Sequence, residues 1–184
     1  MDQMSSRTKN ILITGLPGVG KTTLVIKIAE VLKDFYPTGF YTTEIREEGI
    51  RKGFELISLD GRKGLLSHID IDSPYRVGKY RVDINGFEKF LESIPFFEKP
   101  KVSLLIIDEI GKMECLSEKF KRILKEMLDS QKWVIGTIAL KGSGLISEVK
   151  NRQDVKFFEM TKKNRQGLLL EILKEVEIEG RWKI

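Results

Sequence analysis

One stretch of this 184-residue chain has the residue types and the spacing to hold phosphate. Gly15-Leu16-Pro17-Gly18-Val19-Gly20-Lys21-Thr22 puts glycines, a lysine and a hydroxyl at every fixed position of G-x-x-x-x-G-K-[ST]. Gly15, Gly18 and Gly20 let the backbone curl until successive N–H groups point inward at phosphate oxygens. A helix opening near Lys21 adds the positive end of its dipole to that nest. From this position the Lys21 ammonium reaches the β- and γ-phosphates and the Thr22 hydroxyl can ligate Mg²⁺. An apolar run precedes the motif and a helical pattern follows it, a context that a chance glycine turn lacks.

The second candidate is Leu104-Leu105-Ile106-Ile107-Asp108-Glu109. Four apolar residues carry an acidic one to the carboxyl end of a buried strand, where open α/β sheets bind their ligands. Asp108 is placed to hold Mg²⁺ opposite Thr22, directly or through water. Glu109, one residue on, can orient and deprotonate a water near the γ-phosphate; the plainer alternative is a salt bridge at the strand end. Asp108-Glu109-Ile110-Gly111 also fits the D-x-x-G of regulatory GTPases, which read guanine through N-K-x-D. None of Asn10, Asn85, Asn151 or Asn164 is followed by Lys, so the pattern argues against a guanine-specific switch.

Other cations are weaker candidates. Lys112 can steady the γ-phosphate or the product phosphate, or simply be solvated. Arg76 and Lys79, in a Gly-containing loop after Ser73-Pro74, can bring positive charge to the leaving group. Asn164-Arg165 opens the last helical pattern and either flanks base or ribose or supplies a helix cap. His68 reads as a strand-end residue and Cys115 as a half-buried thiol.

Hydrophobic periodicity supplies the frame that positions these groups. Asn10-Ile11-Leu12-Ile13-Thr14 reads as a buried strand, and Leu24, Ile28, Val31, Leu32 and Phe35 mark one helix face over 22–35. A second strand is expected over 39–45. Runs over 53–59 and 62–67 flank Asp60-Gly61 and read as a hairpin. A helix is expected over 86–97, stopping before Pro100. Leu104 to Ile107 reads as a central parallel strand, followed by a helix with Ser117 as its cap. Strands over 133–138 and 155–158 and a helix bearing Leu169, Ile172, Leu173 and Val176 complete the pattern. Strands alternating with helices predict a doubly wound, mainly parallel α/β sheet with an antiparallel hairpin added. The whole of 1–184 is expected to form one domain, with a polar leader over 1–9 and a short tail over 177–184.

Composition narrows the class further. Lys+Arg 32 against Asp+Glu 27 leaves a net charge of only +5, and no basic run is interleaved with aromatics, which argues against nucleic acid. One Cys and one His exclude an internal disulfide framework and a His/Cys zinc site on one chain. No apolar stretch approaches the roughly 20 residues that span a bilayer, and the N-terminus lacks an apolar signal core. A cytoplasmic protein is expected. Charged residues reach 32%, with Asn and Gln at four each, a thermophile trend. No pattern specifies an oligomer.

The motifs also carry a resemblance. Gly15 to Thr23, together with Asp108-Glu109-Ile110-Gly111-Lys112-Met113-Glu114, resembles the small thermophile-type and cancer-related nucleoside-triphosphatase family. Matches extend through Gly39-Phe40 with Glu44, Gly53-Phe54, Arg76-Val77-Gly78-Lys79-Tyr80, and Thr161 with Asn164-Arg165. The resemblance implies a P-loop NTPase fold of the additional-strand, catalytic-glutamate type. It also implies Mg²⁺-dependent hydrolysis of ATP, GTP and other nucleoside triphosphates with little base discrimination, with Glu109 activating water. One position departs from the expected pattern: Gln166 follows Asn164-Arg165 where an Asp is expected. The rival reading from the residues is a nucleotide or small-molecule kinase, whose acceptor pocket would need a cationic lid such as Arg76, Lys79 and Arg81. A third is a binding module switched by nucleotide.

Overall fold

The computed structural model describes residues 9–180, with side chains as far as Val176. The expected leader therefore lies outside the described residues except for Lys9, as does the expected tail beyond residue 180. Among the described residues, nine strands form one mixed sheet, and the strands that are apolar on both faces lie inside it rather than at its edges. β1 (Asn10–Thr14), β7 (Leu104–Ile110) and β8 (Trp133–Ile138) are almost wholly buried. With β2 (Thr38–Glu47) and β9 (Val155–Glu159) they make a parallel block in the order β2-β7-β8-β1-β9. Strands buried on both sides need no alternation, which is why Leu104 to Ile107 reads as an unbroken apolar run.

The pleat sends alternate residues of that run into two cores. Leu104 and Ile106 join Ile11, Ile13 and Ile135 beneath α1 (Lys21–Val31) and α5 (Leu168–Gly180). Leu105 and Ile107 join Leu12 and Val134 on the opposite face. That face is covered by α2 (Ile84–Glu92), α3 (Glu118–Asp129) and α4 (Leu145–Lys150), with Phe40, Phe87, Phe90 and Phe120 filling the space between. The result is a three-layer α/β domain, as the alternating pattern predicts. β8 lies between β1 and β7 and pairs with both in parallel.

The antiparallel part is larger than one hairpin. β3 (Ile50–Ser58) and β4 (Lys63–His68) form the expected pair, but β3 also runs antiparallel to the outer length of β2. β5 (Arg76–Val77) and β6 (Tyr80–Val82) then extend the edge in the order β5-β6-β4-β3-β2. The expected end of the second strand at Ile45 is too early, because Arg46 and Glu47 pair with Arg51 and Ile50 across a Glu48-Gly49 turn.

Three helix expectations need correction. α1 ends at Val31, and Phe35 belongs to a separate 3₁₀ turn, Lys33–Phe35. The buried stripe is Leu24, Val25, Ile28, Ala29 and Leu32, leaving Val31 at its margin, 48% exposed. α2 begins two residues before the expected Gly86, capped by Asp83 accepting from the Gly86 amide at 2.9 Å, and ends at Glu92. Pro95 accounts for that early stop, since the residue before a proline is pushed out of the helical region. α5 starts at Leu168, four residues after Asn164, and continues through Gly180. Ser117 caps α3 as expected, accepting from the Phe120 amide at 3.0 Å. Among the described residues, no helix is long and apolar enough to cross a membrane.

Candidate active site

The first three glycines of the loop take the positive φ values that their roles require: +150° at Gly15, +73° at Gly18 and +109° at Gly20. Gly15 is also a close approach, because a Cβ there would lie 2.4 Å from the Met160 carbonyl oxygen. The Met160 amide donates to the Thr14 carbonyl at 2.8 Å, so the β9 side of the sheet presses on the base of the loop. Gly20 precedes α1 and no side chain caps that helix, which leaves its first amides to be satisfied by an anion. Lys21 Nζ lies over the loop, donating to the Gly15 carbonyl at 3.0 Å and the Leu16 carbonyl at 3.3 Å.

Asp108 stands at the far end of β7, 1% exposed. Thr22 Oγ1 donates to its Oδ2 at 2.7 Å and Thr137 Oγ1 donates to its Oδ1 at 2.5 Å. Loop, β7 and β8 thus converge on one carboxylate. Burial pushes the Asp108 carboxyl above its usual range, opposed by the Thr137 and Thr22 hydroxyls, the Thr42 amide and the Lys21 charge. Neutral donors dominate the direct contacts, so the buried charge is incompletely balanced and a hard cation fits the oxygen set. Among the described residues, no three His, Cys, Asp or Glu side chains group to hold a metal, so any such cation would rely on phosphate and water for its other ligands.

Glu109 is half-buried beside this pair. Burial raises its carboxyl, the Lys21 ammonium lowers it, and the Asp108 charge raises it again. The Lys21 ammonium and the carboxyls of Asp108 and Glu109 therefore share one electrostatic site. Glu114, which the sequence reading passed over as part of a motif, is fully enclosed close by. A Cβ on Gly111 would lie 2.8 Å from Glu114 Oε2 and 3.6 Å from Glu109 Oε1, so the two side chains flank the same point. Burial pushes Glu114 up to about 8, with backbone amides opposing and the charges of Glu109 and Asp108 reinforcing the shift. Thr137 was equally missed. Its available signal was a hydroxyl near the carboxyl end of an otherwise apolar strand.

The second-tier residues divide. Lys112 is exposed at the rim of a cavity that Glu109 and Glu114 also line. Arg165 lines a different cavity of about 440 Å³ beside the loop, with Val19, Thr23, Lys27 and Gln166. Asn164 does not cap α5 with its side chain. Its Oδ1 accepts from the Thr161 amide at 2.8 Å and its Nδ2 donates to the Glu159 carbonyl at 2.8 Å, pinning the turn that presents Arg165. Arg76, Lys79 and Arg81 bond within the antiparallel extension instead, to the carbonyls of Gly78, Arg51 and Ser73. Burial raises the Cys115 thiol to about 12, which leaves it a poor nucleophile.

Residues 10–173 match the sequence model of the family described as NTPase. The chain belongs to the NTPase family. Membership makes it an enzyme, a nucleoside-triphosphatase, in agreement with the resemblance carried by its motifs. Among curated relatives, the nucleoside-triphosphatase THEP1 of Thermotoga sp. (strain RQ2) is 49% identical over 166 residues, covering 89% of this chain and 92% of that protein. The human cancer-related nucleoside-triphosphatase is 41% identical over 180 residues, covering 90% and 95%. The crystal structure of THEP1 from the hyperthermophile Aquifex aeolicus superposes with a TM-score of 0.79 at 35% identity, covering 91% of this chain and 99% of that one. The solution structure of a human cancer-related nucleoside triphosphatase gives a TM-score of 0.76 at 40% identity, over 92% and 97%. This NTPase therefore shares both fold and chain length with those relatives.

Proposed function

We propose that this NTPase is a P-loop enzyme of the additional-strand, catalytic-glutamate type that hydrolyses ATP, GTP and other nucleoside triphosphates to the diphosphate and phosphate, with Mg²⁺ and little regard for the base. The observation that carries the reading is the 2.7 Å hydrogen bond from Thr22 to Asp108, which ties the glycine loop to the end of β7 with Glu109 beside it. The amides of the loop and of the first turn of α1, with Lys21 and Thr23, bind the phosphates; Lys21 releases the Gly15 and Leu16 carbonyls to do so. Thr22 and Asp108 would hold Mg²⁺, which would supply positive charge to offset that of the phosphates. Glu109 accepts the proton of a water aimed at the γ-phosphorus, and its desolvated surroundings make it a stronger base than a solvated carboxylate. Lys112 steadies the departing phosphate from the rim.

Low base discrimination is supported by the cavity beside the loop. Among the described residues its lining, Val19, Gly20, Thr23, Leu24, Lys27, Met160, Arg165, Gln166 and Leu169, contains no carboxylate to read guanine, and Arg165 can stack on any base. The test is phosphate release from ATP, GTP, CTP and UTP with Mg²⁺, comparing the wild type with Glu109→Gln and Lys21→Ala. Turnover of several nucleotides that is lost in both variants is the expected result. A wild type that binds nucleotide tightly but releases no phosphate overturns the reading.

A further inference from the structure

The cavity on which Glu109 and Glu114 converge has a volume of about 190 Å³, and its lining includes no residue of the glycine loop. Glu109, which shares its electrostatic site with Lys21, therefore also lines a second, partly open space. The walls of that space are Phe54 on β3, Leu66 on β4, Val77 on β5, and Met113, with Thr42 on β2. Three of these, Phe54, Leu66 and Val77, come from the antiparallel extension. Activating a water requires no apolar wall of this kind. The buried carboxyl of Glu114 supplies a polar group inside the cavity without a cationic partner in the lining other than rim-exposed Lys112.

We propose that this cavity is an acceptor site, in which a small neutral primary alcohol with a compact apolar body receives the γ-phosphoryl group in place of water. The inference rests on Glu109 as the general base of the hydrolytic reaction. The alcohol oxygen bonds to the γ-phosphorus as the bond from that phosphorus to the β,γ-bridging oxygen breaks. The hydroxyl proton passes to Glu109, and the products are a phosphate monoester and the nucleoside diphosphate. Size selects the acceptor. A cavity of about 150 Å³ accommodates benzene, whereas drug-sized ligands need about 300–1,000 Å³. At about 190 Å³ the space matches a benzene-sized body with a hydroxymethyl arm more closely than a nucleoside monophosphate. Glu114 stays largely protonated at neutral pH because of its burial, so it offers a hydrogen bond and not a charge that would select a cation.

The experiment follows γ-labelled ATP with Mg²⁺ and the full-length enzyme, measuring inorganic phosphate and ester together. The probes are benzyl alcohol, methanol and AMP, the latter two as acceptors that need no pocket and that exceed it. Benzyl phosphate should form at least tenfold more efficiently per mole of alcohol than methyl phosphate, with no ADP made from AMP. Val77→Phe, which fills the cavity, should lower the ratio of benzyl phosphate to inorganic phosphate at least tenfold. Inorganic phosphate from water without benzyl phosphate sinks the acceptor site and leaves the hydrolase reading intact. Benzyl phosphate that forms equally well in Val77→Phe overturns the location. Ester formation without any release to water supports the acceptor site and overturns the hydrolase reading, and no transfer to either overturns both.

Discussion

Thr22 Oγ1 and Asp108 Oδ2 lie 2.7 Å apart, joining the first turn of α1 to the end of β7 although 86 residues separate them. Thr137, on the strand inserted between β1 and β7, holds the other oxygen of the same carboxylate. Asp108 is thereby fixed in place before any cation or phosphate arrives.

Asp108→Asn should lower kcat/KM for MgATP by about 10²–10³, the usual cost of losing one fixed electrostatic stabiliser. Thr22→Ala should lose less, and part of its loss should return as Mg²⁺ is raised. Thr137→Ala, which touches only the orientation of Asp108, should cost about 10–100-fold in apparent metal affinity. Phosphate release titrated with Mg²⁺ checks all three, and losses independent of Mg²⁺ concentration would contradict the assignment.

Glu109→Gln should reduce kcat by about 10²–10⁴ while nucleotide binding persists, because the amide cannot accept a proton from water. Calorimetric titration with MgATP alongside turnover measurements separates the two effects. Loss of binding equal to the loss of turnover would return Glu109 to a structural role.

Glu114 makes a pH prediction with a definite sign. Its carboxyl holds a proton up to about 8 in the folded protein against an ordinary value of 4.5. The unfolded chain releases that proton first, so this group's stabilisation is complete below 4.5 and is lost as pH rises to about 8. Glu114→Gln has no proton to release and should flatten the fall in Tm across that window. Thermal melts of both proteins at matched ionic strength provide the comparison.

Gly39 has φ +142°, and a Cβ there would lie 1.9 Å from the Ile106 carbonyl oxygen on β7. Gly39→Ala should therefore destabilise by about 3 kcal/mol, a Tm drop of about 6–12 °C in a domain of this size. Gly61→Ala, at φ +90° with nothing within 4 Å, meets only the backbone penalty of about 1–2 kcal/mol. Comparable losses at the two positions would remove the steric argument.

Much of the site was legible because its chemistry is local. The loop from Gly15 to Thr22 encodes its own turn, its own helix start and its own cation within eight residues. Asp108 and Glu109 announce themselves as charges at the end of an apolar run. Thr137 and Glu114 were not legible, since a single hydroxyl or carboxyl in a strand or turn carries no spacing signal. Their importance comes from neighbours remote in sequence. The cations of the 76–81 segment were singled out from charge and a nearby glycine; in the structure Arg76, Lys79 and Arg81 each donate to a carbonyl of the antiparallel extension, a set of contacts that no local pattern announces.

By itself the sequence determined the glycine-rich loop between strand and helix, the buried acidic strand end and the alternation of strands and helices. Each arises from contacts within a few residues or from the periodicity of one element. Only the tertiary structure decided the strand order, which places β8 and its Thr137 between the loop strand and Asp108. It also decided the size of the antiparallel extension and the cavity that this extension walls beside Glu109. Those features depend on side chains tens of residues apart packing into the same volume, and no local pattern records which distant surfaces will meet.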